Sequence, residues 1–132
     1  MSHLMDVKTQ INDQESLIKA LERMGIDPKL VEIHEKPVFL EDYYKEGNKF
    51  ANVVIRRKHF THCYSDMGFL KGKDGMYKAI VDDLGINNDR EWMNKLNTYY
   101  GVERSKKALR RKRVRFVEEK DEEGRIKIRA RV

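Results

Sequence analysis

Apolar residues recur along this chain with two different periods, and each change of period marks an element. Residues 3–11 alternate loosely, with Met5, Val7 and Ile11 on related positions, and predict a first strand. Leu17, Ile18, Leu21 and Met24 then fall three and four apart, the stripe of an amphipathic helix. Asn12 is placed to cap this helix, and Glu15 to reach back as the acid of a capping box. Gly25 supplies the left-handed residue that ends it, and Asp27-Pro28 enforces the stop. Residues 30–34 read as a strand. Lys36-Pro37 interrupts it, because proline has no amide to donate, and residues 38–40 resume it. A polar loop over 41–48 leads to a strand at 50–57 built on Val53, Val54 and Ile55. Residues 58–65 follow neither period.

Residues 67–70 and 76–81 predict two more strands, joined through the Asp74-Gly75 hairpin signal. A second helix follows a loop at 85–89, with Asn88 or Asp89 as cap and Glu91 at its positive end. Its stripe is Trp92, Met93, Leu96, Tyr99 and Tyr100. Gly101 costs about 1 kcal/mol relative to Ala in a helix interior, so the pattern predicts a kinked helix or two short ones. Val114, Phe116, Ile126, Ile128, Ala130 and Val132 then alternate with Arg115, Val117, Arg125, Lys127, Arg129 and Arg131 around an acidic turn at 118–124. That is a hairpin with one apolar and one largely basic face. The order strand, helix, strand, strand occurs near 3–57 and again near 76–132, as two half-domains sharing a sheet would give, although the residues do not repeat. The expected architecture is a single α+β domain over residues 1–132. It has one sheet of about six mostly antiparallel strands, two helices on one face and a C-terminal β-hairpin that completes the sheet.

Composition narrows the function. A chain of 132 residues holds one hydrophobic core. With 39% hydrophobic and 38% charged residues it is polar for a globular protein, yet its aromatic and β-branched residues suffice to fold it. Cys63 is the only cysteine, which excludes an internal disulfide and fits a reducing compartment. No apolar run approaches membrane-spanning length, and residues 1–6 lack a secretory pattern. The expected location is the cytoplasm, with no membrane association. The charge is uneven. Residues 104–132 carry 13 Lys and Arg against 5 Asp and Glu, a net of +8, whereas residues 1–103 carry 15 against 17, a net of −2. An anionic partner is the natural inference.

Several short segments, in order, resemble one family. Met1-Ser-His, Lys8-Thr-Gln-Ile11, the helix with Leu17 and Ala20-Leu21 before Gly25, and Asp66-Met-Gly-Phe69 are four of them. The strand from Tyr77 to Asp82, Lys95-Leu-Asn-Thr-Tyr-Tyr100, and the acidic turn and final strand at 122–131 continue the series. Together they are similar to the hypothetical chloroplast protein thirty-five family, found in plastids, cyanobacteria and some viruses. The resemblance implies a compact α+β domain, a plastid stroma or infected-host cytoplasm as alternative locations, and no established catalytic residues. The chain departs from the family at its end, Ala130-Arg-Val132, where members have Arg-Trp. It is also more basic over 106–113.

The candidate docking residues are Lys106, Lys107, Arg110, Arg111, Arg113, Arg129 and Arg131. Arg104, Lys107 and Arg111 share one helical face, and Lys106, Arg110 and Arg113 a neighbouring one. Lys127, Arg129 and Arg131 share one face of the last strand. Such a surface binds an acidic protein or a nucleic acid by charge and counterion release, with steep salt dependence. Cations near a helix C-terminus also offset its dipole, and Glu118 to Glu123 lie close enough to pair across the hairpin. The expected function is therefore a non-enzymatic accessory module without a cofactor, its oligomeric state open. A rival expectation is an enzyme or metal centre using His59, His62 and Cys63, with His34 as a further ligand. One cysteine and scattered histidines lack the paired spacing of a zinc site. A third is an assembly subunit that pairs through a sheet edge. Tyr99 and Tyr100 invite base stacking, but their spacing from Trp92 and Leu96 favours core packing. Tyr43-Tyr44 suits a partner contact. Asp66, Asp82 and Asp83 suit acid–base work less well than strand ends and turns. No phosphate-cradling glycine loop or nucleophile elbow is present.

Overall fold

A computed structural model describes residues 4–41, 48–59, 65–82 and 90–131. The fold is α+β, with seven strands and two helices among these residues. The strands β1 (Leu4–Lys8), β2 (Val31–Phe39), β3 (Phe50–Ile55), β4 (Met67–Lys71) and β5 (Tyr77–Asp82) form one antiparallel sheet in the order β1-β5-β4-β3-β2. Strands β2 to β5 are thus a meander, and β1 pairs on its far side, with Leu4 opposite Asp82 and Lys8 opposite Lys78. Helix α1 (Gln14–Arg23) connects the two edge strands, β1 and β2, across one face.

Alternation along the strands sends Val53, Ile55, Met67, Phe69, Tyr77, Ala79 and Val81 to that face. They bury against Leu17, Ala20 and Leu21 of α1 and Met93, Leu96 and Tyr100 of α2 (Arg90–Arg111). Each fully buried aliphatic or Phe side chain contributes about 1.5–3 kcal/mol. A smaller cluster of Leu40, Ala51, Val54 and Ile80 occupies the opposite face. Gly68 is required there, because a Cβ on it would stand 2.4 Å from the Ala51 Cβ and 3.0 Å from Leu40 Cδ1.

The interruption expected at Pro37 is a register shift. Ile33 pairs with Val53, but Val38 pairs with Ala51, so β2 bulges between them. The Asn52 amide restores the lost partners, donating to the carbonyls of His34 at 3.1 Å and Glu35 at 3.0 Å. Its oxygen accepts from the Lys71 amide at 3.0 Å.

Two expectations are corrected and a third is narrowed. The cap of α1 is Asp13, not Asn12: Asp13 Oδ2 accepts from the Ser16 amide at 3.0 Å and the Ser16 hydroxyl at 2.6 Å. Of the two outcomes expected at Gly101, two short helices are excluded and one long helix is found, α2 running unbroken for 22 residues. The hairpin of β6 (Arg115–Lys120) and β7 (Ile126–Arg131) does not join the main sheet but forms its own two-stranded one. The element order still repeats, as β1-α1-β2-β3 and β5-α2-β6-β7, yet β6 and β7 stay outside the sheet that holds β1, β2, β3 and β5. No helix among the described residues is long and apolar enough to cross a membrane.

Candidate functional site

The basic end of the chain is built on α2, the turn after it and the hairpin. The two helices stop in the same way. In α1 the Gly25 amide donates to the Glu22 carbonyl at 3.0 Å and the Ile26 amide to the Leu21 carbonyl at 3.1 Å. In α2 the Arg113 amide donates to Arg110 and the Val114 amide to Leu109, both at 3.0 Å. Both are Schellman stops, whose turning residue adopts a positive φ. Gly25 has φ 94°, but the equivalent residue of α2 is an arginine, Arg113, at φ 57°. A side chain in this left-handed region costs about 1–2 kcal/mol, a penalty glycine escapes.

The hairpin turn is held by Asp121, whose Oδ1 accepts from the amides of Glu123 at 3.0 Å and Arg125 at 2.8 Å. Gly124 supplies the positive φ of 81°. Residues directly opposite across an antiparallel pair share a face. Phe116, Ala130, Glu118, Ile128, Lys120 and Ile126 therefore lie on one side. Ile126 and Ile128 line a groove with Val102, Ala108 and Leu109 of α2, and the Arg110 guanidinium sits 5.5 Å from the Phe116 ring centre. The other side carries Arg115 opposite Arg131, Val117 opposite Arg129, and Glu119 opposite Lys127.

Ion pairs then sort the cations. Lys107 Nζ lies 2.7 Å from Asp13 Oδ1 and 3.2 Å from Glu15 Oε2, tying α2 to the start of α1. Burial pushes the Asp13 carboxyl up. The Lys107 and Ser16 hydrogen bonds outweigh that and hold it at about 2. Lys106 Nζ lies 2.5 Å from Glu118 Oε1 and 3.5 Å from Glu103 Oε2. Arg23 of α1 meets the same two carboxylates. The Arg23 guanidinium, then Lys106, hold the Glu118 carboxyl at about 2 against burial. This four-residue knot clamps the hairpin to both helices. A two-stranded hairpin is marginal by itself, so the clamp matters.

The expected docking set thus divides. Lys106 and Lys107, with side chains 14% and 19% exposed, serve the domain's own carboxylates. Arg129 pairs with Glu119 at 2.7 Å. Arg110, Arg111, Arg113 and Arg131 are exposed, and among the described residues no carboxylate lies within 4.0 Å of them. Lys112, Arg115 and Lys127, not in the expected set, share that condition. Lys127 and Arg115 were legible as one strand face, but the Arg115–Arg131 juxtaposition depends on the register.

The rival candidates fare differently. His62, Cys63, Tyr43, Tyr44 and Asp83 lie outside the described residues. His34 Nε2 stands 2.9 Å from Glu32 Oε1, and His59 ends a short 3-10 turn. Among the described residues no three His, Cys, Asp or Glu side chains converge as metal ligands. Asp66 is fully buried in an assembly that spacing did not reveal. Its carboxylate accepts from Arg56 Nη1 at 2.9 Å and from the amides of Glu41 at 2.7 Å and Arg57 at 2.8 Å. Arg56 also grips Glu32 through Nε at 2.8 Å and Nη2 at 3.0 Å. Arg56, then His34, hold the Glu32 carboxyl at about 2. Tyr100 is buried and Tyr99 lies under the Arg23 guanidinium, 5.6 Å from it. Of the sheet edges, β2 carries the bulge and Pro37, both features that blunt an edge against further pairing.

No family model, curated protein or solved structure matches this chain.

Proposed function

We propose that this protein is a non-enzymatic accessory module that works by binding. The end of α2 and the outward face of the hairpin dock on an anionic macromolecule by electrostatics, whether an acidic protein or a nucleic acid. One observation carries the reading. The domain neutralises Lys106 and Lys107 with its own carboxylates, yet leaves Arg110, Arg111, Lys112, Arg113, Arg115, Lys127 and Arg131 without one among the described residues. Other cations without a carboxylate among the described residues, such as Lys8, Lys36, Lys73 and Arg90, are scattered through the chain, whereas these seven all fall between residues 110 and 131. On the order of short motifs we also propose kinship with the hypothetical chloroplast protein thirty-five family, which adds no residue roles to this reading.

Retention on a heparin column tests it. The variant Arg110→Ser/Arg111→Ser/Arg113→Ser/Arg131→Ser elutes at clearly lower salt than the parent. Lys106→Ser/Lys107→Ser elutes close to the parent, after correction for two lost charges, but unfolds at lower urea. Equal retention of the parent and the four-arginine variant would remove the proposal.

A further inference from the structure

We infer that the partner of this surface is the phosphodiester backbone of a nucleic-acid duplex, bound by charge and shape rather than by base stacking or apolar burial. The inference rests on the anion-docking reading above and narrows its partner. Three features of the surface point to phosphate. First, the register sets Arg115 directly opposite Arg131, and like charges so placed repel. No carboxylate among the described residues relieves them. Second, Arg113 occupies the left-handed position at the end of α2 where α1 uses Gly25. A charge is kept there against the local backbone preference. Third, five of the seven cations without a carboxylate at this end are arginines, Arg110, Arg111, Arg113, Arg115 and Arg131, whereas Lys106 and Lys107 share the helix–helix and helix–hairpin contacts with a single arginine, Arg23. The planar guanidinium fork suits phosphate oxygens better than an ammonium does.

What the surface lacks separates the possible partners. An interface with a protein draws its energy from buried apolar or aromatic anchors inside a polar rim. The outward hairpin face offers only Val117, itself half-buried. A single strand is held by bases stacked on exposed rings. Tyr100 is buried, Tyr99 lies against Arg23, and Phe116 lies against Arg110 on the inner side of the hairpin. Trp92 is packed against the core. The exposed rings of Phe39 and Phe50 lie on β2 and β3 of the main sheet. At this end of the chain charge alone remains, and a duplex backbone is a partner for which charge alone suffices.

Fluorescence anisotropy decides it, with four labelled probes at about 50 mM salt. These are a mixed-sequence DNA duplex, an RNA duplex of the same sequence, the corresponding DNA single strand, and a polyglutamate peptide. The inference expects at least one duplex to bind tighter than the single strand and the peptide, with little dependence on sequence. The two duplex arms tell DNA from RNA. Arg113→Gly, which suits the backbone there and so keeps the fold, weakens duplex binding and flattens the log–log salt slope by about one. Arg115→Ser/Arg131→Ser flattens it by about two, with the thermal midpoint unchanged or raised. Tighter binding of the peptide or the single strand overturns the duplex inference and leaves the anion-docking reading standing. An unchanged salt slope in both variants also overturns the inference, and binding of none of the four probes overturns both.

Discussion

One phenol oxygen ties α2 to the start of α1, beside the ion pairs and core packing that also hold it. The Tyr100 hydroxyl accepts from the amides of Asn12 and Asp13, both at 3.0 Å, and donates to Asn12 Oδ1 at 3.1 Å. Tyr100→Phe deletes that oxygen and keeps the ring, so it separates a capping role from a packing or stacking one. Two amides at the start of α1 lose their partner. An orphaned buried donor costs about 1–3 kcal/mol. Asn12 is exposed, so water partly replaces the hydroxyl there, while Asp13 is half-buried. The sum is about 2 kcal/mol. For 132 residues at about 2.1 cal/mol/K each, the unfolding entropy is ~0.28 kcal/mol/K, so the midpoint falls by ~7 °C. Urea titration followed by the fluorescence of Trp92, the single tryptophan, reads the change directly. The m-value stays the same and the midpoint drops. Affinity for the anionic probes is unchanged. A loss below about 0.5 kcal/mol would refute the capping role. Reduced probe binding at parental stability would show instead that the hydroxyl faces the partner.

Two further outcomes follow from the ion pairs. Glu118 is held at about 2 when folded, against 4.5 ordinarily, so the unfolded chain takes up its proton first. Its contribution is complete above about pH 4.5 and is lost as pH falls towards 2, and Glu118→Gln shortens that acid limb by up to one proton; an identical pH–stability slope in the variant would contradict the clamp. Asp66→Asn removes the charge from a carboxylate that accepts three hydrogen bonds and sets an amide against one of those donors. The buried pair with Arg56 is broken at a cost of about 3 kcal/mol, measured by urea titration, and a change below about 1 kcal/mol would show that the assembly is not structural.

Local order was written plainly in the chain. The stripe of Leu17 and Leu21, the stop at Gly25, the strand at Val53 to Ile55, the break at Pro37 and the alternation of Lys127, Arg129 and Arg131 all recur in the structure. Each depends on neighbours within about one turn or one hairpin, where period and turn chemistry act. Even here one residue slipped. Asn12 and Asp13 are both good caps, and the choice fell to Asp13 because Tyr100, 88 residues away from Asn12, engages Asn12 instead. Gly101 left open whether α2 is one helix or two, and the structure has one. A glycine weakens a helix by an amount that packing of Leu96 and Tyr100 readily exceeds.

The sequence by itself determined the α+β class, the apolar face of each element and the concentration of positive charge after residue 103. Tertiary structure alone decided which of those charges are spoken for. Lys106 and Lys107 are adjacent in sequence, and a helix turns successive residues about 100° apart. One therefore meets Glu118 on the hairpin and the other Asp13 on α1, a partner 94 residues distant. No local period encodes such a meeting. The same holds for the hairpin, whose alternation is that of any sheet strand but which found α2, not an edge of the main sheet, as its support. Periodicity says which face is buried; only the assembled fold says against what.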